Sequence, residues 1–320
     1  MKYIVRYFLI ISILIILIKS LCYLVKKNNI NYDSKEKFSE QIKKKKIIFL
    51  PPSGRLGNQL FNLILALIYC FQNNINIVKL SRDIIFYDKD YLIVNDTDIN
   101  LKDKSYVKNY IKNLNENDKF YMDNFWNIDI KFNDLKKYKN EIIFILNNKL
   151  NFPKVKKYNN NYLHIHIRSG DIWNYTNDFM IQPPCIYYEN EINSRKWDKV
   201  IIVCEDRVNP CVEYLEKKYQ NVKYFGENSL ETDINELLTA TNIIMGTGTF
   251  IPILSLFMQN LQKLHYIDNN DYRMINLLEI FHSNKCIKHN EYSKYFEIAK
   301  KFKEEKNNEK RKNLILNYKS

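Results

Sequence analysis

Three short loops hold the residues best suited to chemistry. They are Gly54-Arg55-Leu56-Gly57-Asn58-Gln59, His166-Ile167-Arg168-Ser169-Gly170-Asp171 and Gly246-Thr247-Gly248-Thr249-Phe250, and each follows a short apolar run. Five of the six glycines of the chain lie in them, and Gly226 is the sixth. Glycine lets a backbone come close to a ligand. Helices starting after the first and third loops offer unpaired N–H groups to an anion. Arg55 and Arg168 add fixed positive charge, and a guanidinium grips phosphate oxygens with two parallel hydrogen bonds. Side chains alternate along a strand end, so His166 and Arg168 share a face. Together these features suit a phosphate-bearing ligand. Plainer readings stand beside that one. The first loop could be an ordinary strand-to-helix turn. Arg168 and Asp171 could be a structural ion pair with His166 packed as a polar core residue. Thr249 could be a simple N-cap for the helix that begins at Phe250.

The loops need strands and helices to position them, and the chain supplies an alternation of both. Ile47–Leu50 reads as a buried strand ended by Pro51-Pro52, Leu60–Phe71 as a helix apolar on nearly all faces, and Ile75–Leu80 as the next strand. Residues 81–150 are polar and Asn-rich, with helices expected near 105–114 and 132–146. Beyond them the pattern is regular. Strands are expected at Tyr162–Ile167, Val200–Cys204, Val222–Phe225, Ile243–Met245 and, last, Leu264–Ile267. Helices are expected at Cys185–Asn193, Val208–Tyr219, Thr232–Ala240 and Phe250–Met258. Such βαβα order predicts a parallel, doubly wound α/β sheet, in which ligands bind outside the carboxyl ends of the strands. We expect two Rossmann-like domains, 47–155 and 156–296, with a cleft between them. Residues 297–320 read as a charged helical tail exposed to solvent.

The chain has 320 residues and a formal net charge of +13. That total invites a nucleic-acid or anionic-membrane partner, but its distribution does not. Residues 1–46 hold 11 Lys/Arg against 3 Asp/Glu, and residues 297–320 hold 8 against 4. The 250 residues between hold 30 against 29, so the body is nearly neutral and lacks the basic face that nucleic acid would need. The runs Lys43–Lys46 and Asn159–Asn161 sit in a composition rich in Lys, Asn, Ile and Tyr and read as solvated linkers. From Tyr7 to Val25 the chain is apolar apart from Ser12, Lys19 and Ser20. As a helix this span would be about 28 Å long, close to the hydrocarbon thickness of a bilayer. No small-x-small cleavage site follows it. Residues 1–25 are therefore expected to be a signal-anchor transmembrane helix, and 26–46 a polar stem.

The strings G-R-L-G-N-Q-L-F, H-I-R-S-G-D and D-I-N-E-L-L-T-A-T-N-I-I-M-G-T-G-T-F, in that order over about residues 47–267, resemble the three-motif pattern of the GDP-fucose-dependent fucosyltransferase superfamily. The likeness is nearest to the α-1,2-fucosyltransferase-like branch, that of glycosyltransferase family 11. The resemblance implies a two-domain GT-B fold, inversion at the anomeric carbon, a nucleotide-sugar donor, a glycan acceptor, and no cofactor or metal. It implies that Arg168 contacts the donor diphosphate, with Asn58 and Arg55 at the donor–acceptor junction and Gly57 beside them. His166 and Asp171 would shape the nucleotide site, Thr247, Thr249 and Phe250 would line the donor pocket, and Asp233 would read the guanine edge. It also implies a single-pass type II protein of Golgi or other secretory-pathway membranes. The acceptor hydroxyl needs a base, for which Asp171 and Asp178 are the candidates. One departure is Ser169, which stands where relatives often carry a second basic residue. Another is Gln182-Pro183-Pro184, which is foreign to the pattern.

Other signals point elsewhere or nowhere. Asp88-Lys-Asp90 and Asp96-Thr-Asp98 match the Asp-x-Asp pattern of metal-dependent, UDP-sugar glycosyltransferases, but such pairs arise easily in an Asp-rich stretch. A non-catalytic glycan- or nucleotide-binding membrane protein is the other alternative. Cys70, Cys185, Cys204, Cys211 and Cys286 follow the apolar span, an odd number, so at least one is unpaired. Cys204–Cys211 is one candidate bridge, and Cys204 as plain core is the rival reading. Asn95 and Asn174 head glycosylation sequons.

Overall fold

A computed structural model describes residues 46–319 apart from 53, 82–83, 85, 95–103, 124–131, 156–157, 175–179, 269–271 and 305–307. The expected anchor at 1–25, the stem to residue 45, Asp96, Asp98, the Asn95 sequon and Asp178 lie outside the described residues. No helix among those described is long and apolar enough to cross a membrane.

In chain order the first elements are β1 (Ile47–Phe49), α1 (Leu56–Asn73), β2 (Ile77–Lys79), β3 (Tyr91–Ile93), α2 (Lys104–Asn113), β4 (Lys119–Tyr121), α3 (Phe132–Lys137) and α4 (Lys139–Lys149). The second series is β5 (Tyr162–Ile167), α5 (Cys185–Ile192), β6 (Lys199–Cys204), α6 (Pro210–Lys218), β7 (Val222–Gly226), α7 (Leu230–Leu237), β8 (Asn242–Met245), α8 (Phe250–Leu254), β9 (Lys263–Ile267), α9 (Tyr272–His282), β10 (Cys286–His289), α10 (Ser293–Glu304) and α11 (Asn308–Asn317).

Strands β5–β10 form one sheet in the order β10-β9-β8-β5-β6-β7, and every pairing in it is parallel. Counted from β5, that is the doubly wound order 3-2-1-4-5-6, with its switch point between β5 and β8. The alternation of β5 shows how sequence builds it. Leu163, Ile165 and Ile167 enter a core with Val200, Ile202 and Cys204 of β6. His164 and His166 point to the opposite face, and at 1% and 8% exposure both are buried there. The N-terminal sheet is smaller, with order β3-β2-β1-β4. Its β1–β2 and β1–β4 pairs are parallel and its β2–β3 pair antiparallel, so it is a mixed sheet of three-residue strands rather than a full second Rossmann half.

Helix α1 is apolar on nearly every face and buried on nearly every face, and Asn74 in the left-handed region (φ 53°) ends it. One apolar core runs from α1 and the N-terminal sheet through Ile201 and Val203 of β6 to α7, α8 and α9. Stacked Phe152 and Phe257, 3.9 Å apart at their centroids, lie within it. The two sheets therefore share packing behind the site.

The C-terminal residues depart from the exposed tail read from the sequence. Helices α10 and α11 bury Tyr295, Ala299 and Ile315 in the core on the far face of the large sheet. Some of the charges that suggested solvent lie on the outer faces of these helices, as at Lys301 and Lys310, which are exposed, whereas Lys303 and Arg311 are buried with the apolar residues.

Candidate functional site

The three glycine loops meet. All lie at the carboxyl ends of β1, β5 and β8, and two of them flank the switch point of the large sheet. Gly246 N donates to His166 O at 2.8 Å, and a Cβ on Gly246 would stand 3.0 Å from that same oxygen, so a side chain at residue 246 would press on the contact between the second and third loops. The same holds for Gly57 between the first and third. A Cβ there would meet Thr249 Oγ1 at 2.6 Å and Phe250 N at 2.9 Å. Its room is taken by the start of α8 as well as by the cavity beside it.

A cavity of about 560 Å³ opens at this junction, within the usual range of small-molecule sites. Arg55, Gly57, His166, Arg168, Asp233, Thr249 and Phe250 of the sequence candidates line it. Arg168 is only 18% exposed, and its Nη2 donates to Asp171 Oδ1 at 2.9 Å. The other oxygen of Asp171 lies 3.2 Å from Arg55 Nη2. The two guanidiniums, delivered by different sheets, are thus held together across one carboxylate. The Arg168–Asp171 pair foreseen as a plain structural contact is present, and it orients an arginine that faces the cavity.

Asn58, Asp171 and Thr247 do not line the cavity. Asn58 Oδ1 accepts from Thr249 Oγ1 at 2.8 Å and so fastens α1 to the third loop. Asp171 is engaged by two guanidiniums, which is poor placement for a general base. Thr247 is 2% exposed, and its Oγ1 accepts from Gln182 Nε2 at 2.9 Å. Gln182 O in turn accepts from Tyr295 OH at 2.6 Å. The Gln182-Pro183-Pro184 segment, which had no place in the motif pattern, therefore props the third loop from behind. Ser169 is explained similarly. Its hydroxyl bonds Asp206 and accepts from Asn209 N at 3.1 Å, while Asn209 Nδ2 donates to Arg168 O at 3.2 Å. The hydroxyl at this position helps to lock the arginine loop.

His166 is buried beside Phe250, with ring centroids 5.5 Å apart. Burial, and then the charge of Arg168, push its pKa down to about 3. The ring is neutral at physiological pH, and its Nδ1 has no hydrogen-bond partner among the described residues. Asp233, in the first turn of α7, has its pKa raised, first by burial and also by the charge of Glu205. Sequence reasoning missed Glu205 itself. It follows β6, lines the cavity, and its Oε2 accepts from Arg55 Nη1 at 2.8 Å. No glycine neighbours it to draw attention, although its place after an apolar run was a usable signal.

Cys185 and Cys211 form a disulfide, and Cys204 is buried and free. The bridge foreseen between Cys204 and Cys211 is therefore wrong in one partner. Cys204 ends β6 pointing into the core, whereas Cys185 and Cys211 stand at the starts of α5 and α6. Asp90 of the Asp-x-Asp pair pairs with Lys79. Among the described residues no group of three or more acidic, His or Cys side chains is placed to hold a metal ion.

The molecule is an α/β protein with a parallel doubly wound sheet, and at the switch point of that sheet a cavity is lined by one arginine from each of the two sheets. Residues 89–258, more than half of the chain, match glycosyl transferase family 11, and the chain belongs to that family of glycosyltransferases. The match takes in the second and third loops. Among solved structures, the chain is similar to NodZ alpha-1,6-fucosyltransferase soaked with GDP-fucose, at 12% identity over 70% of this chain and 96% of that one, with a TM-score of 0.37. It is also similar to a mutant of Arabidopsis thaliana FUT1 in complex with GDP, at 11% identity over 71% and 72%, with a TM-score of 0.38. No curated protein matches the chain.

Proposed function

We propose that this glycosyltransferase is an inverting, metal-independent fucosyltransferase of GT-B type that moves fucose from GDP-fucose to a glycan hydroxyl, with α-1,2 linkage. The observation that carries the reading is the pair of guanidiniums, Arg55 and Arg168, brought from two sheets to one cavity at the switch point. When the sugar leaves, negative charge grows on the departing diphosphate. Two pre-placed guanidiniums stabilise that charge without a metal ion, and they need little reorganisation because Asp171 already holds them. The neutral His166 offers a hydrogen bond from within the cavity wall, and a ligand group would satisfy its buried nitrogen. Asp233 would accept hydrogen bonds from the guanine edge, with Leu230 and Phe250 supplying apolar wall.

The Cys185–Cys211 bridge favours an oxidising compartment. It agrees with a type II protein anchored by residues 1–25, carried on a 26–46 stem, and facing the lumen of the secretory pathway. The working division of the body is 47–155 and 156–296, with 297–320 packed on the second part.

The test is transfer from GDP-fucose, GDP-mannose and UDP-galactose in EDTA to an oligosaccharide ending in β-galactose. Release of GDP with product formed only from GDP-fucose is expected. Transfer from UDP-galactose that requires added Mn²⁺ would overturn the reading and favour a metal-dependent enzyme.

A further inference from the structure

We propose that Glu205 is a built-in counter-ion of the donor site, whose carboxylate holds the Arg55 guanidinium in place of the donor diphosphate and is displaced when the nucleotide enters. The proposal rests on the reading of the cavity as a nucleoside-diphosphate site.

Four observations carry it. Glu205 pairs with Arg55 through both oxygens, Oε2 with Nη1 at 2.8 Å and Oε1 with Nη2 at 3.3 Å. That two-pronged geometry is the one a guanidinium also uses on phosphate oxygens. The partners are 150 residues apart, so the pair ties the loop before α1 to the strand ends of the large sheet. Both side chains are about half exposed, 49% and 51%. An ion pair in that setting contributes little net stability and is readily exchanged. Finally, the carboxylate lies against the neighbouring loop at a residue without a side chain. Gly170 has φ +65°, and a Cβ there would stand 2.8 Å from Glu205 Oε2.

The two acidic residues around the arginines thus differ in role. Asp171 bridges Arg55 and Arg168 and positions both. Glu205 bonds Arg55 from the cavity side, where an incoming anion arrives. A diphosphate brings more negative charge and more acceptor oxygens than one carboxylate, so it wins the exchange. Its apparent affinity is lowered by the fraction of time the carboxylate occupies the arginine. Without Glu205 the two guanidiniums of the empty site would share the single carboxylate of Asp171, and a ligand without phosphate has nothing to exchange with Glu205.

Calorimetric titration of the purified protein and Glu205→Gln with GDP and with guanosine tests this. Removing one half-exposed pair partner should tighten GDP binding about fivefold, leave guanosine binding unchanged, and leave the melting temperature close to that of the wild type. In an Arg55→Ala background the same Glu205→Gln change should have no effect on GDP. GDP binding equal to or weaker than wild type in Glu205→Gln, or the same gain without Arg55, would overturn the proposal. Weaker guanosine binding would do so too, by making Glu205 a direct ligand of the ribose. If the wild type bound UDP and not GDP, the guanine reading would fail, and the same comparison run with UDP would still decide the role of Glu205.

Discussion

At the scale of single residues, the site is a balance of charge and burial. His166 shows the consequence most clearly. In the unfolded chain its imidazole takes a proton near pH 6.5, whereas burial and Arg168 hold the folded value at about 3. Between those values the unfolded state binds more protons, so stability is full above pH 6.5 and falls as the pH drops toward 3. Chemical denaturation from pH 7 to pH 4 should show this fall, and His166→Gln should flatten it by up to about 1.4 kcal/mol per pH unit. An unchanged slope in the variant would contradict the burial argument. Asp233 was reached only through the family resemblance, whereas Arg55, His166, Arg168, Thr249 and Phe250 were legible as residues of the cavity wall because glycine, arginine and strand ends coincided in so few places. Glu205 was not, because a glutamate after a buried strand looks like any solvated turn. Asn58, Asp171 and Thr247 were found by type, and none of them lines the cavity. Each side chain bonds another part of the protein, and spacing alone cannot distinguish a ligand contact from a brace.

At the scale of elements, the decisive contacts are between helix starts. Gly57 lets the first turn of α1 touch Thr249 and Phe250. Gly57→Ala would drive a methyl group against backbone there, and we expect a loss of about 1–3 kcal/mol of stability together with weaker GDP binding, read by calorimetry. Unchanged binding with a normal fold would mean that this contact does not shape the cavity. The Cys185–Cys211 bridge joins the starts of α5 and α6 across 26 residues, and Asn209, which caps α6, also holds the Arg168 carbonyl. Cys211→Ser should cost about 3 kcal/mol in unfolding free energy and loosen nucleotide binding through Asn209. A variant with wild-type stability would show the bridge to be dispensable. The pairing could not be read beforehand, because it depends on where two crossover helices begin, and neighbouring positions in sequence do not fix that.

At the scale of the molecule, the large sheet was legible from its alternation of apolar runs and helices, up to β9. Strand β10 escaped because Cys286-Ile287-Lys288-His289 is a half-exposed edge with no apolar run. The N-terminal strands β3 and β4 escaped because they are three residues long in a polar stretch. The net charge of +13 misled in a similar way about the end of the chain. A count of lysines does not say which face of a helix they occupy, and α10 and α11 bury the other face. What the whole fold achieves is the delivery of Arg55 and Arg168 to one point from two sheets. Calorimetric titration of the purified wild type and Arg168→Ala with GDP and UDP, in EDTA, tests that claim most directly. Wild type should bind GDP and not UDP, and Arg168→Ala should stay folded while its GDP affinity drops by about 100-fold, the loss of one charge-assisted bidentate contact. GDP binding by Arg168→Ala at wild-type strength, or a wild type that prefers UDP, would contradict the account.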